Sequence, residues 1–185
     1  MSDAAAETGA MDAAPELIIG IAEATPQGQV TFRGDLSAVD LSVVDGLTVP
    51  GTLQTTAAGS SRAIWMSPDE LLLLVKDAPA TVTALTEQLA GQHAMALDVS
   101  DARMAFRLTG DLVGEVLAKG APCDCSDHGF PPGTARRTHL GGLAVAIWRI
   151  DAGTWEIACF RSFAHHLKAW LEQAAVAGSE VGWSG

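Results

Sequence analysis

Apolar and polar positions alternate most clearly between residues 101 and 109. Met104, Phe106 and Leu108 fall on one side of an extended chain, and Asp101, Arg103, Ala105, Arg107 and Thr109 fall on the other. That period of two predicts a strand with one face on a core and one polar face. Residues 71–76 carry an unbroken apolar run, Leu71 to Val75, which predicts a central strand covered on both sides. Further strands are predicted over 17–24, 29–33, 54–58, 62–66, 95–99, 134–139, 143–150 and 154–160. The turn Thr25-Pro26-Gln27-Gly28 suggests that the first two of these pair as a hairpin.

Three segments follow a helical period. Asp77 and Pro79 are start signals for a helix to about residue 90, with Val82, Leu85 and Leu89 inward and Gly91 as its stop. A short helix over 111–118 is expected to be capped from Thr109 and closed by Gly120. Ser162 is placed to cap a last helix over 162–177, where Phe163, Leu167, Trp170, Leu171 and Ala174 make one apolar stripe. The sum predicts an α+β fold, a mainly antiparallel sheet with three helices packed on one face. Residues 1–16, acidic and without apolar period, are expected to be a disordered tail. Residues 17–178 form one domain, divisible into small halves at about 17–100 and 101–178, and 179–185 is a C-terminal tail.

Charge narrows the function. The 185 residues hold 22 acidic and 11 basic side chains, a net charge of −11. The densest basic feature is the pair Arg136–Arg137, which argues against nucleic-acid binding. No apolar run approaches the roughly 18 residues of a membrane span. The first residues lack the basic start of a signal or transit peptide. The three cysteines cannot form a disulfide framework without a remainder, so reduced thiols in the cytoplasm are expected.

Candidate chemistry is sparse. Cys123-Asp124-Cys125 with His128 invites a metal or redox assignment, but zinc and redox pairs space their cysteines by two or more residues. Ordinary loop cysteines are the plainer reading, and Cys159 sits in a strand pattern as core. His165 and His166 are helix neighbours about 100° apart and cannot share a metal as i, i+4 partners do. The G-x-S-x-G, G-x-G-x-x-G and P-loop patterns are absent. Arg103 and Arg107 make the polar side of their strand either a solvated face paired with Asp101 or a face for a partner or acidic ligand. Trp65, Trp148, Trp155 and Trp170 fall in regular elements and are expected in the core. Trp183, in a Gly-Ser tail, either packs back or anchors in a partner.

Several segments, in order, resemble the γ subunit of heterotetrameric sarcosine oxidase. They are Ile64-Trp65-Met66-Ser67-Pro68-Asp69-Glu70-Leu71-Leu72-Leu73, then Asp98 to Asp101 with Arg103 and Phe106-Arg107-Leu108-Thr109-Gly110, then Leu117-Ala118-Lys119-Gly120. Phe130-Pro131-Pro132-Gly133, Trp148-Arg149, Trp155-Glu156-Ile157, Arg161-Ser162-Phe163-Ala164 and Trp170-Leu171 complete the set. Leu71, where the family often has an aromatic, and Cys123 and Cys125 depart from it. The resemblance implies an accessory, non-catalytic subunit of a cytoplasmic complex that demethylates sarcosine to glycine, with hydrogen peroxide and methylene-tetrahydrofolate as further products. It implies alpha, beta and delta subunits as partners, with FAD, FMN, NAD, tetrahydrofolate and zinc held by them. It also implies a fold like part of the folate-binding aminomethyltransferase architecture. No catalytic, cofactor or metal residue is expected here, and Arg103, Arg107 and Trp183 are the candidate partner contacts. The alternatives are a stand-alone folate-binding protein, with Arg103 or Arg107 on a glutamate carboxylate, and a metal or redox module at Cys123 and Cys125.

Overall fold

The computed structural model describes residues 15–24 and 27–182. Most of the expected acidic tail, residues 1–14, and Trp183 lie outside the described residues. The strands form two antiparallel sheets. The first contains, in spatial order, β1 (Gly20–Glu23), β7 (Arg103–Thr109), β10 (Thr154–Phe160), β9 (Leu143–Arg149) and β8 (Ala135–Leu140). The second contains β3 (Thr55–Ala58), β4 (Ser61–Ser67), β5 (Glu70–Val75), β2 (Gly28–Arg33) and β6 (Met95–Asp98). The helices are α1 (Ala78–Gln88), α2 (Val113–Ala118) and α3 (Ala164–Ala174).

Alternating side chains sort these elements into four layers, helix, sheet, sheet, helix. On the first sheet Phe106, Leu108, Ile147, Trp155 and Ile157 face Val113, Val116 and Leu117 of α2 and Leu167 and Leu171 of α3. On the second, Val30, Phe32, Leu71 and Leu73 face Ala78 and Leu85 of α1. Between the sheets, Ile64, Met66, Leu72 and Leu74 meet Ala135, Ala146, Trp148 and Ala158. The apolar run in β5 is thereby explained, because successive leucines serve different cores. The fold is the expected antiparallel α+β arrangement. Each sheet carries helices on a single face, but the strands make two sheets where alternation alone suggested one.

Local expectations fare unevenly. Asp77 caps α1 by accepting from the Ala80 amide at 2.9 Å. The expected first hairpin does not form. β1 pairs with β7, while β2 lies between β5 and β6. Four buried residues in β2 need a neighbour on each side, and an edge hairpin supplies only one. Ser162 does not cap α3. Arg161–Phe163 is a 3-10 turn leading into the helix, which leaves Phe163 half exposed. α2 begins at Val113 without a side-chain cap, since Thr109 still belongs to β7.

The two sheets are stitched along one side. Gln54 and Thr134 form a bridge, the Thr55 amide donates to Gly133 O at 2.8 Å, and the Ala135 amide donates to Leu53 O at 2.8 Å. These bonds join the outer edges of β3 and β8. Among the described residues no helix is long and apolar enough to cross a membrane.

Trp170 lies against two glycines. A Cβ at Gly120 or Gly141 would overlap its indole, and Gly141 also has φ 55°. Gly120→Ala is expected to displace the ring and destabilise the chain by about 1–3 kcal/mol, the cost of overpacking. Chemical denaturation together with a shift in tryptophan emission measures this.

Candidate functional site

Glu156 stands in the middle of an otherwise apolar strand. Trp155 and Ile157 beside it face the helices, so its carboxylate must enter the layer between the sheets. There it is only 5% exposed. Its Oε1 accepts from Arg107 Nη2 at 2.7 Å and Nε at 3.0 Å, and its Oε2 accepts from Trp148 Nε1 at 3.0 Å. Arg62 of β4 belongs to the same group. Burial pushes its guanidinium below the ordinary value, Glu156 opposes that shift, and Arg107 adds to it.

A second buried carboxylate lies on the opposite sheet. Glu70, 8% exposed, accepts from Arg137 Nη1 at 3.4 Å and faces Arg33 Nη2 at 3.6 Å. The turn before it is held by Ser67 donating to Asp69 Oδ1 at 2.6 Å. Arg103 is near enough to feel both groups. Burial lowers its guanidinium from the ordinary value, Glu70 raises it, and Arg137 lowers it further. Glu70 and Glu156 thus pair with Arg137, Arg33 and Arg107, Asp69 also lies 3.6 Å from Arg33, and Arg62 and Arg103 stand nearby.

At the margin of the layer a groove of about 460 Å³ opens. Ala144, Ala146 and Ala158 form its small-residue floor, with Met66 on one wall. Arg103, Arg137, His139 and Phe160 surround it. The Arg103 guanidinium lies 5.6 Å from the centre of the Phe160 ring. Phe160 is half exposed. This cationic, partly aromatic groove sits on a protein whose net charge is −11, and its chemistry suits a carboxylate.

The sequence-derived candidates separate here. Arg103 and Arg107 share the inter-sheet side of β7, but Arg107 is engaged by Glu156 and Arg103 lines the groove. Neither pairs with Asp101, whose carboxylate lies 3.8 Å from Arg161 Nη2 and whose carbonyl accepts from Arg161 Nε at 2.8 Å. The chain leading to Trp183 is tethered. Glu115 Oε1 accepts from the amides of Val181 and Gly182, and Lys119 Nζ donates to Ala174 O at 2.7 Å and Ser179 O at 2.8 Å. Lys119 thus serves the C-terminal end of α3 rather than that of its own helix. Glu70, Glu156 and Phe160 were not read from the sequence as site residues, Arg137 was noted only for its neighbour Arg136, and His139 only as a strand end without a partner. The available signal was a glutamate inside an apolar strand.

The loop from 121 to 133 is organised by Arg149, which is 4% exposed. It donates to Phe130 O at 3.0 Å, Asp151 O at 3.1 Å and Ala152 O at 2.6 Å, and pairs with Asp127 at 2.7 Å. Its guanidinium also lies 4.8 Å from the Trp155 ring centre. Cys123 and Cys125 are free thiols in this loop, with their sulfurs 3.9 Å apart. The hydrogen bond from Cys125 lowers the Cys123 thiol to about 7. Burial opposes this and the Arg136 charge assists it. Cys125 is pushed up by the same contact and by burial. Among the described residues no three His, Cys, Asp or Glu side chains stand close enough to share a metal ion, so His128 does not complete a site with the two thiols.

Comparison with known proteins gives a consistent result. The model of the sarcosine oxidase, gamma subunit family matches residues 33–177. The sarcosine oxidase subunit gamma of Corynebacterium sp. (strain U-96) is 29% identical over 156 residues, spanning 83% of this chain and 76% of the relative. The subunit of that name from Arthrobacter sp is 27% identical over 156 residues, spanning 83% and 77%. Among solved structures, a chain of the heterotetrameric sarcosine oxidase from Corynebacterium sp. U-96, in complex with pyrrole 2-carboxylate, superposes with a TM-score of 0.78 at 26% identity. The match covers 90% of this chain and 88% of that one. Glycine cleavage system aminomethyltransferase T from Bartonella henselae superposes with a TM-score of 0.58 at 14% identity, over 85% of this chain and 46% of that one. This second likeness is one of fold, and it agrees with the expected architecture.

Removing Glu156 tests the inter-sheet layer. Glu156→Ala leaves the Trp148 N–H buried without an acceptor and Arg107 without its pair. The expected loss is about 1–3 kcal/mol, below the roughly 3–5 kcal/mol of a fully buried pair, because Arg107 keeps contact with solvent. Urea unfolding of the purified variant reads it directly.

Proposed function

The chain belongs to the sarcosine oxidase gamma subunit family, and from that premise we propose that it is the accessory, non-catalytic subunit of a heterotetrameric sarcosine oxidase. The observation that carries this reading is its likeness, over 90% of its length, to a chain of such an assembly. In this reading the alpha, beta and delta subunits are its cytoplasmic partners. They bear FAD, FMN, NAD, tetrahydrofolate and zinc, while this chain binds none of them and supports the large folate-binding subunit. Sarcosine would be demethylated to glycine at those partners. The rival reading, a stand-alone folate binder, draws on the aminomethyltransferase likeness, which at 14% identity carries fold alone.

We place the docking surface at the groove beside Arg103. Arg137 pairs with Glu70, which also faces Arg33, while Arg103 feels the Glu70 charge without an ion-pair contact to it. Positive charge is left over for a carboxylate-bearing segment of the partner subunit. Phe160 and the neighbouring Phe163, both half exposed, supply the apolar contact that arginine-rich interfaces favour. Arg107, half open beside Glu156, belongs to the rim in this reading. A permanent interface of this kind buries roughly 2,000 Å² or more.

Co-expression with the partner subunits and size-exclusion chromatography test both statements. The chain is expected to co-elute with flavin absorbance. Arg103→Glu is expected to weaken assembly by about ten-fold or more, equivalent to ~1.4 kcal/mol, and Arg107→Glu to weaken it less. A chain that stays monomeric beside its partners overturns the subunit reading. Unimpaired assembly of Arg103→Glu overturns only the placement of the surface.

A further inference from the structure

We infer that Cys123 and Cys125 form a reversible dithiol–disulfide site oxidised by small hydroperoxides, with Cys123 as the attacking thiol and Cys125 as the resolving thiol. The reading stands independently of the subunit assignment and rests on this chain's own geometry. The two sulfurs are 3.9 Å apart, and the Cys125 thiol also lies 3.6 Å from Cys123 O, so it already faces its neighbour. A disulfide of about 2.05 Å requires the loop to close by only about 2 Å.

Exposure separates the two roles. Cys123 is partly open to solvent and Cys125 is 2% exposed. A small oxidant therefore meets Cys123 first. Arg136 supplies the nearby positive charge that favours a thiolate there, against the weaker opposing charge of Asp124. Its guanidinium is fixed by donating to Gly129 O at 3.0 Å and Ala135 O at 2.9 Å. The Cys125 backbone is held close against Gly114 of α2, so the approach falls to the more open Cys123. Cys159 provides the contrast. It is buried in the same helix-side core as Cys125, but burial alone acts on its thiol, raising it above the ordinary value.

The chemistry balances with the peroxide as sole oxidant. The Cys123 thiolate attacks one peroxide oxygen, an S–O bond forms, the O–O bond breaks, and the departing hydroxide takes a proton and leaves as water. Cys125 then gives up its proton and attacks the Cys123 sulfur. An S–S bond forms, the S–O bond breaks, and the second oxygen leaves as water. Two thiols lose two electrons and one peroxide gains them. Because the ring closed by so short a segment is strained, the disulfide is readily reduced. Oxidation would tighten the segment that also carries Asp127 and Phe130, both partners of Arg149.

Peptide mapping of the full-length chain decides the matter. Reduced protein is treated with one equivalent of hydrogen peroxide, alkylated and digested without reductant. The expected product is a peptide containing both cysteines that is lighter by two hydrogens, resists alkylation, and recovers with dithiothreitol. Before oxidation, Cys123 is expected to alkylate about ten-fold or more faster than Cys159, with the rate rising as pH passes upward through about 7. Cys125→Ser is expected to arrest Cys123 as a sulfenic acid that dimedone captures, and Cys159→Ser to change nothing. Accumulation of Cys123 sulfinic acid beside a freely alkylated Cys125, disulfide-linked dimers through Cys123, or no oxidation at all would overturn the inference. If Cys125→Ser does not fold, the mapping of the unaltered chain is decisive alone.

Discussion

Two carboxylates buried between the sheets govern this molecule. An unpaired charge in that layer would cost several kcal/mol. Glu156 and Glu70 can stay there only because arginines reach them: Arg107 along the same sheet, Arg137 from the facing sheet. The Trp148 N–H completes the shell of Glu156. Ion pairs of this kind add little net stability compared with apolar residues of the same shape, yet they are intolerant of displacement. Their contribution is registration. The apolar contacts between the sheets set Ile64, Met66, Leu72 and Leu74 against three alanines and Trp148, and the Glu70–Arg137 contact adds a polar cross-link to that alignment.

That alignment also explains the surface. Arg103 and Arg137 bring positive charge to the margin of the layer, and the groove opens there over a floor of alanines. The same strand, β10, supplies Trp155 to the helix-side core, Glu156 to the layer and Phe160 to the groove. In the proposed docking, folding and recognition would therefore draw on one strand, through its two faces.

Legibility from sequence followed the range of the interactions. Near-neighbour signals served well. Asp77 does cap α1, the strand over 154–160 was located to the residue, and the leucines of β5 are buried on both faces. What failed depended on distant partners. The first strand pair looked like a hairpin because a turn separates the segments, but burial on both sides of β2 requires β5 and β6. Arg103 and Arg107 were recognised as a pair on one face, but their different fates are set by Glu156 and Glu70, 49 residues beyond Arg107 and on the other sheet respectively. The spacing of Cys123 and Cys125 argued against special chemistry. It could not reveal that the loop, gathered by Arg149, brings the sulfurs to 3.9 Å. Trp183 lies outside the described residues.

The seam joining β3 to β8 has a consequence for association. Backbone hydrogen bonds from Thr55 and Ala135 tie the outer edges of the sheets together, so the sheets cannot separate along that side. Arg137, two residues along β8 from Ala135, thus reaches the groove from a strand held at its start. Little configurational freedom remains to be lost on contact, and such preorganisation leaves more of the interaction energy available as affinity. In the proposed docking, the seam would then aid association by holding β8 in place before contact.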